Sequence, residues 1–285
     1  MKDLNNIQIK IRIFGKNLQY LRQNSGETQN QISKNLGISR QTISAIEKGR
    51  AKPNMVTMCQ ISDYYGFPLE NMFMEMDKKY CVITCDIVDS RSVLNRNKLQ
   101  LKINDLTRHI NRVYENQILT KFNITLGDEF QGVLLRFNHF LDLYMALKTE
   151  MFPYQLNVGI GIGTINTKIY KANSHKMDGP AFHFARDMVD RAKQKPGFFY
   201  VKTGNSYDEI LNLLIEEINY TFLSLTPDQF KLLKIYVELN NQIQVSELLG
   251  VSQAYVSRIL KQIDFTRIKK IFDGLEDLVN KALEY

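Results

Sequence analysis

Two carboxylates stand in settings that suit metal and phosphate chemistry. Asp86 closes the β-branched apolar run "YCVITCDIV", and Asp128 lies in "LGDEFQG", between two further apolar runs. If that turn joins a hairpin beside the first strand, both carboxylates reach one side of a sheet, where a Mg²⁺ ion and a triphosphate can bind. Ile87, Val88, Asp89, Ser90 and Arg91 lead from Asp86 toward a helix. They offer backbone N–H groups and a guanidinium to phosphates. Gly127 and Glu129 flank Asp128 in the turn. The plainer alternatives are an ordinary hairpin turn at Gly127-Asp128 and a helix cap at Asp86 or Asp89.

The elements that must position these residues follow from pattern. A buried strand near residue 80 precedes a helix over Leu99 to Tyr114; "ILTKFNITL" and "FQGVLLRF" make the hairpin. A helix over Phe140 to Met151, the strand "LNVGIGIGTI", a helix over Pro180 to Lys195 and the strand "GFFYV" complete the series. That order predicts an α+β, ferredoxin-like central domain over residues 78–220. Gly159, Gly161 and Gly163 alternate within a strand, which signals close packing or ligand approach, and no dinucleotide fingerprint. His183 sits between Phe182 and Phe184, where a packed histidine and a ligand are both possible.

The ends of the chain have another texture, all helical. Residues 1–77 form the first expected domain, with helices over Phe14 to Asn24, Gln29 to Leu36, Arg40 to Lys48 and Val56 to Tyr65. In "TQNQISKNLGISRQTISAIEKG", Gly37 allows a sharp turn, and Ile32, Leu36, Ile38 and Ile43 lock two helices together. The outer face of the second helix is then free for a major groove. Residues 221–285 form the third expected domain. "LTPDQFKLLKIYVELNNQIQVSELLGVSQAYVSRILK" repeats the turn logic around Gly250, and a long amphipathic helix follows. Its stripe of Ile268, Ile271, Phe272, Leu275, Leu278 and Leu283 fits either a dimer seam or an intramolecular cover.

Composition narrows the setting. An apolar share of 44% over 285 residues is ample for ordinary cores. No apolar run nears the roughly 20 residues of a membrane span, and no secretory signal opens the chain, so the expected location is the cytoplasm. Three cysteines without a CxxC pair argue against disulfides and zinc. A net charge of +7 suits a nucleic-acid partner without requiring one.

The amino-terminal pattern resembles the Cro and lambda-repressor class of helix-turn-helix domains. That resemblance puts Gln29 on a DNA phosphate and Arg40, Gln41 and Ser44 on base edges or phosphates. The carboxy-terminal unit resembles the helix-turn-helix of sigma-factor region 4, with Gln253, Tyr255 and Arg258 on the outer face; a protein-contact or dimerisation module is the alternative. "DIVDSR", "TLGDEFQG", "GIGIG" and "DGPAFHFAR" resemble the SatD family and, at one remove, the class III nucleotide cyclases and GGDEF diguanylate cyclases. By that resemblance Asp86 and Asp128 hold metal over a nucleotide, with His183 and Arg186 beside it. The matches are incomplete. His183 and Asp187 occupy the positions of a cyclase Asn and Arg, Arg186 falls one residue away, and Phe122 takes the place of a purine-reading Lys. A change of that kind commonly costs orders of magnitude in rate. The resemblances imply a dimeric DNA-binding regulator, a repressor, whose central domain senses a purine or cyclic nucleotide, with Mg²⁺ as the possible cofactor. The alternative is an active nucleotidyl cyclase or nucleotidyltransferase fused to DNA readers.

Overall fold

The computed structural model describes residues 2–73 and 78–284. The chain divides at Lys78/Lys79 into two compact units. Among the described residues no helix is long and apolar enough to cross a membrane.

The first unit contains α1 (Lys2–Asn24), α2 (Gln29–Leu36), α3 (Arg40–Glu47), α4 (Met55–Tyr64) and a 3-10 turn, Asn71–Phe73. Phe14, Leu18, Ile32, Ile43, Ile46, Ile61 and Met72 form its core. Helix α1 starts well before the expected Phe14, with Ile7 and Ile9 exposed on its added turns. Short helices need strong end signals, and α2 has them. Thr28 accepts from the Gln31 N–H, and the Gln31 side chain accepts in return from the Thr28 N–H at 2.7 Å. Gly37 closes α2 in the left-handed region, at φ 65°, and Ser39 caps α3. Beneath these helices lies a buried ion pair. Arg22 Nε donates to Glu47 Oε1 at 2.6 Å and Nη2 to Oε2 at 3.1 Å, with the two side chains only 12% and 3% exposed.

The second unit holds a five-stranded sheet of β1 (Lys79–Ile87), β2 (Ile118–Leu126), β3 (Glu129–Leu134), β4 (Leu156–Thr164) and β5 (Phe199–Lys202). The strand order is β2-β3-β1-β4-β5; every pairing is antiparallel except β4 with β5. Between and after the strands come α5 (Arg96–Val113), α6 (Phe140–Met151), α7 (Pro180–Gln194), α8 (Asp208–Leu223), α9 (Pro227–Leu239), α10 (Gln242–Leu249), α11 (Gln253–Gln262) and α12 (Phe265–Glu284).

Strand alternation divides the sheet's side chains between two faces. Cys81, Ile83, Cys85 and Ile87 of β1 join the large apolar core with residues of α5, α6, α8 and α12. Tyr80 and Val82 face the other way, against Ala181 and Ala185 of α7. The alternating glycines of β4 serve this second packing. A Cβ at Gly159 would lie 2.1 Å from the Ala185 carbonyl oxygen, and one at Gly161 would lie 2.1 Å from that of Ala181. Of the two expected roles for these glycines, close helix packing is the one the structure shows.

Helix α8 has no counterpart among the elements expected from sequence. Two buried asparagines on it do the work of a sixth strand along the open edge of β5. Asn212 accepts from Val201 N–H at 2.9 Å and donates to Val201 O at 2.7 Å; Asn219 does the same for Phe199 at 3.2 and 3.0 Å. The edge is thereby closed to further strand pairing. The opposite face of α8 leaves Ile210, Leu213 and Leu214 exposed.

The region expected as a third domain, 221–285, shares its core with the sheet. Phe272 of α12 packs among Phe140, Tyr144, Phe199 and Phe222, with ring centroids 5.7 to 6.2 Å away. Glu276 accepts from the Phe140 N–H at 2.6 Å, and Asn280 makes reciprocal bonds with the Phe137 backbone, both at 2.9 Å. The stripe of α12 is therefore an intramolecular cover.

Candidate functional site

The turn between β2 and β3 consists of Gly127 and Asp128. Gly127 takes φ 61°, which a II′ hairpin turn requires at its first central position. Its carbonyl accepts from Gln100 Nε2 at 2.7 Å, tying the turn to α5. Asp86, near the end of β1, pairs in register with Asn157 of β4, and its side chain is 18% exposed. Burial pushes the Asp86 carboxyl pKa above the ordinary range. Lys193 opposes the shift, while the negative charges of Asp128 and Glu129 add to it. Three carboxylates thus act on one another at one end of the sheet.

Helix α7 supplies the matching cations. Arg186 grips buried Glu129 with both guanidinium arms, Nη2 donating to Oε1 at 2.8 Å and Nη1 to Oε2. Thr125 Oγ1 also donates to Glu129 Oε1, at 2.8 Å. One face of the helix further along brings Lys193 Nζ to 3.7 Å from Asp86 and 3.6 Å from Asp190. Lys193, Asp190 and Asn157 escape a motif-based reading. The available signal was the spacing Arg186, Asp190, Lys193 along a helix, which puts all three on one side.

The donor chemistry suits a hard cation such as Mg²⁺, which prefers carboxylate oxygen. Among the described residues no three His, Cys, Asp or Glu side chains are grouped to hold a metal ion. An ion here therefore fits only as a partner of a phosphate ligand that completes its coordination.

Several expected site residues lie elsewhere. Ile87 is 2% exposed, so only its backbone is available. The Val88 N–H donates to the Gln155 carbonyl at 3.0 Å and is already engaged. Asp89 sits in the left-handed region at φ 50° and opens a 3-10 turn, Ser90–Ser92, on which Arg91 is exposed. It makes no side-chain cap bond. His183 is neither packed nor in the acidic cluster; it is exposed, with Nε2 3.2 Å from Asp178. Asp187 is paired with Lys202 at 2.6 Å, and Phe122 is buried over Gly132.

In the first unit, Arg40 and Gln41 are fully exposed on α3 and Ser44 is partly so. Gln29, expected on a phosphate, donates to Glu47 Oε2 at 2.7 Å. In the carboxy-terminal turn Gln253 and Arg258 are exposed, whereas Tyr255 is partly buried against the core and carries the Arg258 guanidinium 5.2 Å above its ring.

A model of the SatD family matches residues 80–270, and a model described as Helix-turn-helix matches residues 18–71. An uncharacterized HTH-type transcriptional regulator of Methanocaldococcus jannaschii is 40% identical over 60 residues, which cover 91% of that protein and 21% of this chain. Among solved structures, a dimeric guanylyl cyclase domain of the RhoGC fusion protein from the aquatic fungus Blastocladiella emersonii is 16% identical at TM-score 0.31, covering 44% of this chain and 79% of that one. The monomeric form of that domain is 15% identical at TM-score 0.30, with coverage of 44% and 81%. Superposition at that level decides nothing about this chain.

Proposed function

The chain belongs to the SatD family, and from that premise we propose that it is a DNA-binding transcriptional repressor whose central domain senses a nucleotide. The DNA half rests on the capped α2–Gly37–α3 turn with Arg40 and Gln41 exposed, together with the helix-turn-helix match and the regulator relative. The observation that carries the nucleotide half is the meeting of Asp86, Asp128 and Glu129 with Arg186 and Lys193 at one end of the sheet. The strand order and the two helices α5 and α6 on one face support a ferredoxin-like reading of this domain.

On this reading Asp86 and Asp128 hold a Mg²⁺ ion that arrives with the nucleotide and neutralises its phosphates. Arg186 and Lys193 are the nearest cations to those phosphates. Binding without turnover is favoured because Asp187 and His183, at the positions of the cyclase Arg and Asn, are engaged by Lys202 and Asp178. The exposed face of α8 supports a homodimer. For regulation, the nucleotide must favour one arrangement of the protein by a few kcal/mol.

Calorimetric titration with ATP, GTP and cyclic mono- and dinucleotides, with and without Mg²⁺, tests the site. Micromolar binding that disappears in both Asp128→Ala and Asp86→Ala is the expected result; no binding by any of them sinks the nucleotide half. Metal-dependent affinity is also expected to fall on acidification. Asp86 must be ionised to hold the ion, and its raised pKa makes protonation begin at higher pH than for an ordinary aspartate. An affinity flat down to the ordinary carboxylate range would remove Asp86 from the site.

A further inference from the structure

The two helix-turn-helix segments of this chain share one local geometry. Pairing Gly37 with Gly250 brings Thr28 to Asn241, Ser39 to Ser252, and buried Ile32, Ile43 and Ile46 to buried Val245, Val256 and Ile259. Both glycines adopt φ 65°, and both are followed by an apolar residue whose N–H returns to a serine carbonyl: Ile38 to Ser33 and Val251 to Ser246, each at 3.1 Å. Thr28 and Asn241 each cap a first helix of eight residues. Ser39 and Ser252 cap the second helices, accepting from Thr42 and Tyr255 N–H at 3.0 and 3.1 Å. The interhelix turn that presents α3 outward is thus repeated under α11.

The surface of α11 decides what such a turn presents. Its exposed outer face is formed by Gln253, Ala254, Arg258, Lys261 and Gln262, without an acidic residue or a large apolar one. Just beyond it, exposed Arg267, Lys269 and Lys270 open α12, and Asp264, the one carboxylate in this stretch, lies 3.5 Å from Arg267. A protein-contact face would be expected to expose aromatic or aliphatic anchors. A row of amide and cationic side chains on a helix fits phosphates and guanine or adenine edges.

We propose that the carboxy-terminal helix-turn-helix is a second reader of duplex DNA, with α11 in the major groove. Gln253 and Arg258 reach bases, and Lys261 with the basic start of α12 holds phosphates. Because α12 is packed into the core of the sheet, this reader is carried rigidly by the unit that contains the acidic cluster. The proposal does not depend on nucleotide binding there.

The test uses the full chain and a randomised duplex DNA library, with anisotropy measured across a salt series. The variants are Arg40→Ala with Gln41→Ala, Arg258→Ala with Lys261→Ala, and all four together. All four positions are exposed, so each variant is expected to keep the parent's circular dichroism and melting profile. The expected result is residual salt-dependent binding in the first variant, abolished in the quadruple variant. In the second variant the slope of log affinity against log salt should fall by about two, or about one for each cation removed from the DNA. If the Arg258/Lys261 variant binds like the parent at every salt concentration, the second reader is overturned. If it loses all binding while the Arg40/Gln41 variant loses none, the second reader stands and the first is the one to be withdrawn.

Discussion

Replacing Arg22 by methionine is expected to destabilise the amino-terminal unit by about 3–5 kcal/mol, the range for removing one partner of a buried ion pair. The size follows from Glu47, whose side chain is 3% exposed and would keep its charge without the guanidinium. Gln29 Nε2 would remain as its neutral donor, which is weak compensation. Urea unfolding followed by circular dichroism is expected to show an early transition for this unit and an unchanged one for the sheet. The double replacement Arg22→Met with Glu47→Leu is expected to recover most of the loss, since an apolar pair of similar volume carries no desolvation penalty. If the single variant unfolds like the parent, the pair is not buried in solution.

The second large effect is expected at Asn219→Leu. The leucine fills the space but leaves the Phe199 N–H and C=O facing the interior without partners. Each unmatched group costs about 1–3 kcal/mol, so the sheet unit is expected to lose about 2–5 kcal/mol. Asn212→Leu should act alike at Val201. The two are expected to differ from ordinary core substitutions in their exchange pattern. Amide protons of Phe199 or Val201 should lose protection selectively, as seen by hydrogen exchange, before the rest of the sheet does. Uniform loss of protection across all five strands would mean that the asparagines act only through packing.

Features of this kind are reached unequally from sequence. The turns at Gly37 and Gly250 were legible because their signals are local: a glycine able to take positive φ, then a serine cap two residues on. Asp86 and Asp128 were legible as a pair because strand and hairpin patterns place them together. Their cationic partners were not. Arg186 lies 57 residues from Glu129 in the chain, and nothing short of the fold of α7 across β4 joins them. Helix α8 was hidden by its composition. Asparagines point inward while Ile210, Leu213 and Leu214 point outward, which blurs the periodicity on which helix recognition depends. The stripe on α12 was visible, but a stripe alone does not say what covers it.

The burial of α12 also bears on the order in which the protein is made. The core of the first unit is complete by Met72, so the α2–α3 reader can close while most of the chain is still being synthesised. The sheet cannot. Phe272, Val279 and Ala282 belong to its core, so that unit must wait for nearly the last residues to leave the ribosome. A DNA-reading domain is therefore expected to exist on each nascent chain before the unit that would regulate it, and ribosome-stalled chains ending after α11 should carry a folded first unit beside an open sheet.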